Sequence, residues 1–320
     1  MKSEILSELK KADDFVSGEK LSSMLGITRS AVWKYVNALK EEGCDIISVR
    51  NKGYKLVSAP DMLNEYEIMN GNITEVVGKR LVIMKSVDST NEEVKRLALK
   101  GEPGGTIVAA EKQTAGKGRF GRSWNSDDGG LFFSVLLRPE LPPADISSIT
   151  LAAGFAVCLA VREYTKTDAR IKWPNDVIIG KKKICGILTE MTAQSDRIDH
   201  VAIGIGINVN NSYFPDEISD KATSLFIETG TRINRNEFFG VVIKYLDAIL
   251  KNFFISLSVD DMKLFKELCA TVGREVTVKR VTGDVHGKAV DITPSGELIV
   301  YDGDKNIVVN SGEVTVQGIY

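Results

Sequence analysis

The chain has 320 residues, of which 43% are apolar and 26% charged, enough for two or three domains with real cores and a solvated surface. Its formal net charge of −2 gives no global basic field, so any nucleic-acid contact must come from a local patch. Four scattered cysteines and two histidines indicate neither a disulfide framework nor a zinc site, and no apolar run reaches membrane-spanning length, so the protein is expected to be cytoplasmic with no membrane partner.

Residues 1–60 carry ten Lys or Arg against eight Asp or Glu. Apolar Ile5, Leu6 and Leu9, then Leu21, Met24 and Leu25, then Val32, Val36 and Leu39 follow helical spacing and predict three short helices. Gly26 breaks the second, and Thr28 can N-cap the third, which is the pattern of a helix-turn-helix. With Val32, Val36 and Leu39 inward, Thr28, Arg29, Ser30, Trp33, Lys34 and Asn37 form an outer face able to enter a DNA major groove. Alternation through Ile46, Ser48 and Arg50, a turn at Asn51-Lys52-Gly53, and Tyr54-Lys55-Leu56 predict a hairpin, hence a winged helix. A protein-interaction module of the same shape is the alternative.

A linker at Ser58-Ala59-Pro60 leads into a mixed segment, 61–270, with strands at 81–84, 106–110, 131–137, 171–179, 184–191 and 201–209. Helices are expected at 89–100, 145–164 and 238–256, around a single sheet of six or seven strands. From 271 to 320 short alternating strands between Gly-rich turns predict a small β-barrel or meander. The fold class is α+β multidomain.

The central segment is organised around Gln113-Thr114-Ala115-Gly116-Lys117-Gly118-Arg119-Phe120-Gly121-Arg122-Ser123-Trp124. Glycines there free the backbone to turn N–H groups inward, while Lys117, Arg119 and Arg122 bring positive charge, so the loop suits a phosphate or carboxylate. It is not a P-loop, because Gly118 stands where Ser or Thr is needed; Gly204-Ile205-Gly206 lacks the third Gly of a dinucleotide fingerprint. Other polar clusters fall at strand ends: Ser89-Thr90-Asn91, Lys172-Trp173-Pro174-Asn175-Asp176, and Lys183 near Gly186. Strand ends of one sheet can converge on one site. Taken singly, Ser89 or Thr90 could be a helix cap, Asn175-Asp176 a turn, and Lys183 a solvated hairpin lysine.

Together these motifs, in this order and joined by Lys183 to Glu190 and Gly204 to Asn208, resemble those of bifunctional biotin protein ligases that also repress the biotin operon. The resemblance covers nearly the whole chain and implies an SH3-like barrel at the C-terminal end. It implies synthesis of biotinyl-5′-adenylate from biotin and ATP, then acyl transfer to a lysine of a biotin carboxyl carrier protein domain, as in acetyl-CoA carboxylase. By the same resemblance, Lys183 meets the α-phosphate, and Lys117 and Arg119 wrap the ligands. Ser89, Thr90 and Gln113 meet the ureido ring, with Asn91, Gly116, Gly118 and Gly186 around biotin. Trp124, Arg122, Lys172, Asn175, Asp176 and Asn208 lie at the nucleotide, with Mg2+ near Asp176. It further implies a homodimer favoured by biotinyl-5′-adenylate and bound to operator DNA with inverted half-sites. The segment 210–223 and the glycine loop are the expected lids. Position 117 is often Arg in that family; lysine keeps the charge without the two-pronged geometry. A non-catalytic biotin sensor and a lipoyl-type ligase are the alternatives; the cationic loop argues against the first, and together with the winged helix against the second.

Overall fold

The computed structural model describes residues 1–140, 142, 146–194, 197–253, 258–280, 283–310 and 312–320. By contacts the chain divides into two compact units, Met1–Asn72 with Asn234–Gly240, and Ile73–Ile233 with Val241–Tyr320. The segment from 271 onward thus belongs to the same unit as the central sheet.

In the first unit, α1 (Lys2–Lys11), α2 (Gly18–Leu25) and α3 (Arg29–Glu41) precede the hairpin of β1 (Asp45–Val49) and β2 (Gly53–Ser58), followed by the short α4 (Glu65–Met69). The turn between α2 and α3 follows from its residues. Gly26 ends α2 in the left-handed region at φ 64°, and Thr28 Oγ1 accepts from Ala31 N at 3.2 Å to start α3. Ile5, Leu9, Leu21, Val32, Val36 and Leu39 are fully buried together, each contributing roughly 1.5–3 kcal/mol by leaving water. Thr28, Arg29, Ser30, Trp33 and Lys34 are exposed and Asn37 half-buried, leaving the face expected to read DNA open.

The second unit runs β3 (Arg80–Met84), α5 (Thr90–Leu99), β4 (Thr106–Ala110), β5 (Leu131–Leu137), α6 (Ile146–Thr165), β6 (Ala169–Lys172), β7 (Asp176–Ile179), β8 (Lys182–Gln194), β9 (Arg197–Ile207), α7 (Leu225–Thr229), α8 (Arg235–Phe253) and α9 (Val259–Leu268). Residues 234–240, at the start of α8, belong to the first unit. One seven-stranded sheet results, in the order β3-β4-β5-β9-β8-β7-β6, with β3–β4 parallel and the other pairs antiparallel. The expected helix start at Asp145 and end at Ser256 lie outside the described residues. The elements α4, α7 and α9 were not expected. Then β10 (Glu275–Lys279), β11 (Val285–Ile292), β12 (Leu298–Tyr301), β13 (Asn306–Val309) and β14 (Glu313–Val316) form a five-stranded antiparallel sheet in the order β13-β12-β11-β10-β14.

Both faces of the large sheet are covered, which is why β4 and β5 are buried at every position. On one face α5 packs Val94 and Ala98 against Val108, Leu136 and Ala202. On the other lies α6, where Gly154 packs over Ile187 with room for ordinary contact: a Cβ on Gly154 would sit 3.5 Å from Ile187 Cδ1. No described helix is long and apolar enough to cross a membrane.

Candidate active site

Strand register places the site. One rung crosses the sheet through Phe132, Gly206, Gly186, Asp176 and Lys172, each paired with the next. The neighbouring rung joins Ser134, Gly204 and Leu188. Side chains two apart share a face, so Gly186, Gly204 and Gly206 clear one patch on the α5 side of the sheet. That clearance is occupied. A Cβ on Gly206 would lie 2.4 Å from Trp124 Cε2, one on Gly186 2.7 Å from Trp124 Cζ3, and one on Gly204 2.5 Å from Asn91 Oδ1.

The pocket above this floor is lined by Ser89, Thr90, Asn91, Gln113, Lys117, Gly118, Arg119, Trp124, Asn175, Lys183 and Gly186, with Leu188, Gly204 and Gly206 among its other walls. One end is neutral and hydrogen-bonding. Thr90 Oγ1 donates to Gln113 Oε1 at 3.0 Å, Gln113 Nε2 donates to Ser126 Oγ at 2.9 Å, and the Ser134 hydroxyl donates to Asn91 Oδ1 at 2.6 Å. Ser89 takes the N-cap position of α5, but its side chain makes no capping bond.

The other end is cationic. The glycine loop folds back on itself, with Trp124 N donating to Gly116 O at 2.9 Å and Gly118 N to Arg122 O at 2.7 Å. Gly116 does not line the pocket; it lies buried below Trp124, where a Cβ would sit 2.6 Å from Trp124 O. At the loop tip Phe120 holds φ 56°, a left-handed conformation costly for a side chain, and Arg119 stacks 4.9 Å above its ring. Arg119 also donates to Asn175 Oδ1 at 2.8 Å and to Gly312 O at 3.0 Å, and burial pushes its guanidinium below the ordinary value. Arg122 pairs with Glu313 instead of facing the pocket.

At the far end of the rung, Lys183 Nζ lies 2.6 Å from Asp176 Oδ1, close in distance but without an aligned hydrogen bond, so charge attraction holds it. The Tyr320 hydroxyl donates to the other Asp176 oxygen, and Lys172 Nζ stands 3.5 Å over the Tyr320 ring. Burial pushes Lys172 down to about 8 and Tyr320 well up. Asp176 and Lys172 flank the pocket without lining it. Asn208 is not in the lining either; its amide donates to Thr223 O at 3.0 Å and ties down the end of the 210–223 segment. Trp173, inside the Lys-Trp-Pro-Asn-Asp motif, is structural: it is fully buried and its Nε1 donates to Gly296 O at 2.9 Å.

Residues 83–208 match the Biotin/lipoate A/B protein ligase family, residues 2–55 an HTH domain, and residues 271–316 the Biotin protein ligase C terminal domain. The chain is 40% identical to the bifunctional ligase/repressor BirA of Bacillus subtilis over 294 residues, 90% of each chain. The chain belongs to the bifunctional biotin ligase/repressor family. The same-named protein of Escherichia coli is 30% identical over 291 residues, 90% of this chain and 88% of that one. The Aquifex aeolicus biotin protein ligase solved with biotin and ATP superposes with a TM-score of 0.66 at 34% identity, covering 75% of this chain and 99% of that one. Membership of this family gives the two ends of the pocket a common purpose. Nothing in the sequence hints at Ser134, and Glu190, Gly204 and Gly206 fall in motifs there without an assigned role in the site. The glycines had a signal, two residues apart on a strand, but only the register shows what lies over them.

Proposed function

We propose that this chain joins biotin to ATP as biotinyl-5′-adenylate, passes the biotinyl group to a lysine of a biotin carboxyl carrier protein domain, and represses transcription through its winged helix. The observation that carries the ligase reading is one pocket with a neutral, hydrogen-bonding wall at one end and the cations Arg119 and Lys183 at the other, over a floor of glycines. A ureido ring needs donors and acceptors together, which Ser89, Thr90, Asn91 and Gln113 provide. The biotin carboxylate attacks the α-phosphorus of ATP, the bond to the bridging oxygen breaks, and pyrophosphate leaves. Two anions must approach for this, and Lys183 and Arg119 offset their repulsion and stabilise charge at the phosphate. In the second step the carrier lysine, as free amine, attacks the acyl carbon; AMP leaves and the amine's proton passes to solvent.

Trp124 Nε1 is buried with no acceptor among the described residues. Such a donor is costly when unpaired, and a ligand oxygen brought beside the indole would relieve it, consistent with a nucleotide at that end. Arg122, Lys172, Asn175 and Asn208 complete the nucleotide end, Arg122 and Asn208 by holding its borders. Mg2+ enters with ATP, held mainly by phosphates and water, and when bound it neutralises phosphate charge. No group of three or more His, Cys, Asp or Glu side chains could hold a metal among the described residues, and Asp176 is already engaged by Lys183 and Tyr320. The partners are operator DNA with inverted half-sites and a second copy of the chain, a homodimer favoured by the adenylate, all in the cytoplasm.

Incubation with ATP, Mg2+, a carrier domain and either biotin or lipoate tests the catalytic reading. Avidin-reactive carrier should form only with biotin; acyl transfer from lipoate alone, or from neither, would overturn it.

A further inference from the structure

Lys117, the loop cation nearest α5, does not point its charge into empty pocket. Its Nζ lies 2.5 Å from Glu92 Oε1, on the first turn of α5. The same Glu92 oxygen is 3.0 Å from Lys95 Nζ, which in turn lies 2.8 Å from Glu190 Oε1 on β8. The other Glu190 oxygen accepts from Asn91 Nδ2 at 2.7 Å, and Asn91 Oδ1 accepts from Ser134 beside Thr90. Charges alternate in sign along this path, from the glycine loop to the polar wall of the pocket. Lys117 first, then Lys95, hold the Glu92 carboxyl below its ordinary value. Burial draws Lys95 down but is outweighed by Glu190 and Glu92.

We propose that Glu92 is a positioning residue for the reactive loop. Through Lys117 it ties the Gly116-Lys117-Gly118 turn to α5, and through Lys95 and Glu190 it ties that turn to the wall that holds the ureido ring. The loop then stays longer over the acyl-adenylate while this chain of charges is intact. The inference rests on the ligase reading, and it gives the lysine at position 117 a reason: one carboxylate at hydrogen-bond distance needs one compact ammonium, not a planar fork. Lys117 and Glu92 are partly exposed, with side-chain exposures of 49% and 29%. Partly exposed pairs are individually weak, so the expected effect is about three- to fivefold.

The test is a double-mutant cycle on the full chain, reading the rate at which preformed biotinyl-5′-adenylate is lost in the absence of carrier. Glu92→Gln and Lys117→Met should each speed release about three- to fivefold, and the double variant no more than either alone. Glu92→Asp, which keeps the carboxylate, should stay within about twofold of the parent, a rescue that a merely structural contact would not give. Release from Glu92→Gln at the parent rate, or effects that multiply in the double variant, would overturn the tether while leaving the ligase reading standing. A parent protein that forms no adenylate at all would overturn both.

Discussion

Lys172 shows how one buried charge sets behaviour at the nucleotide end of the site. It is held among Asp176, Lys183, Tyr320, Glu313 and Arg122, with burial the largest influence, and loses its proton at about 8 instead of 10.5. Two consequences follow with opposite sign. The unfolded chain binds more protons than the folded one between about 8 and 10.5, so folding stability gains with rising pH in that window. On the proposed function, attraction for ATP falls in the same window, because a positive charge is lost beside the cationic end of the pocket. The KM for ATP should therefore climb as pH passes 8 while the thermal midpoint does not drop in step. Lys172→Arg, which keeps its charge throughout, should flatten the climb; an ATP KM that stays level from pH 7 to 9.5 in the parent would refute the role.

Among the elements, β9 carries most of what the sequence concealed. The strands at 106–110 and 131–137 were legible because each is a continuous apolar run bounded by turn residues, and both emerge at the expected bounds. The helix-turn-helix was legible because Gly26 and Thr28 have one sensible use in that spacing. By contrast α9 buries only Phe265 and Leu268, too sparse a stripe to announce a ten-residue helix. Gly204-Ile205-Gly206 failed as a nucleotide motif, and its actual use depends on a register that no local pattern contains: Gly206 stands opposite Gly186 and Phe132, under Trp124. The same limit hid the ring of partners around Asn91, since Ser134 and Glu190 come from distant strands. Gly204→Ala tests this account of the floor. Its Cβ would meet Asn91 Oδ1 at 2.5 Å and displace the amide from the pocket wall. Overpacking of this kind costs roughly 1–3 kcal/mol, so the KM for biotin should rise about tenfold or more, with the KM for ATP much less affected. Equal rises in both would mean that the glycine serves the sheet and not the biotin end.

At the level of the whole molecule, the C-terminal sheet and the ligase sheet act on one site: Gly312 and Glu313 hold the two loop arginines, and Tyr320 holds Asp176. On the proposed function, an adenylate held by the loop would also govern DNA binding by the winged helix. Control of that kind is linkage: a ligand that drives dimerisation must bind the dimer more tightly than the monomer, by the same factor in both directions. The winged-helix segment is only weakly basic, with ten cations against eight anions in residues 1–60, so one copy is expected to bind DNA weakly. Two copies on an inverted repeat combine their phosphate contacts, which raises affinity and steepens its dependence on salt. A mobility-shift titration on such an operator should therefore show a stable complex only with biotin and ATP both present. The salt slope of that complex should be about twice that of any residual monomer binding. Lys34→Ala should weaken the complex and reduce the slope without altering biotinylation of the carrier, because Lys34 lies on the exposed face of α3. An equally strong shift with neither ligand present would separate DNA binding from the ligase chemistry and remove the corepressor from the account.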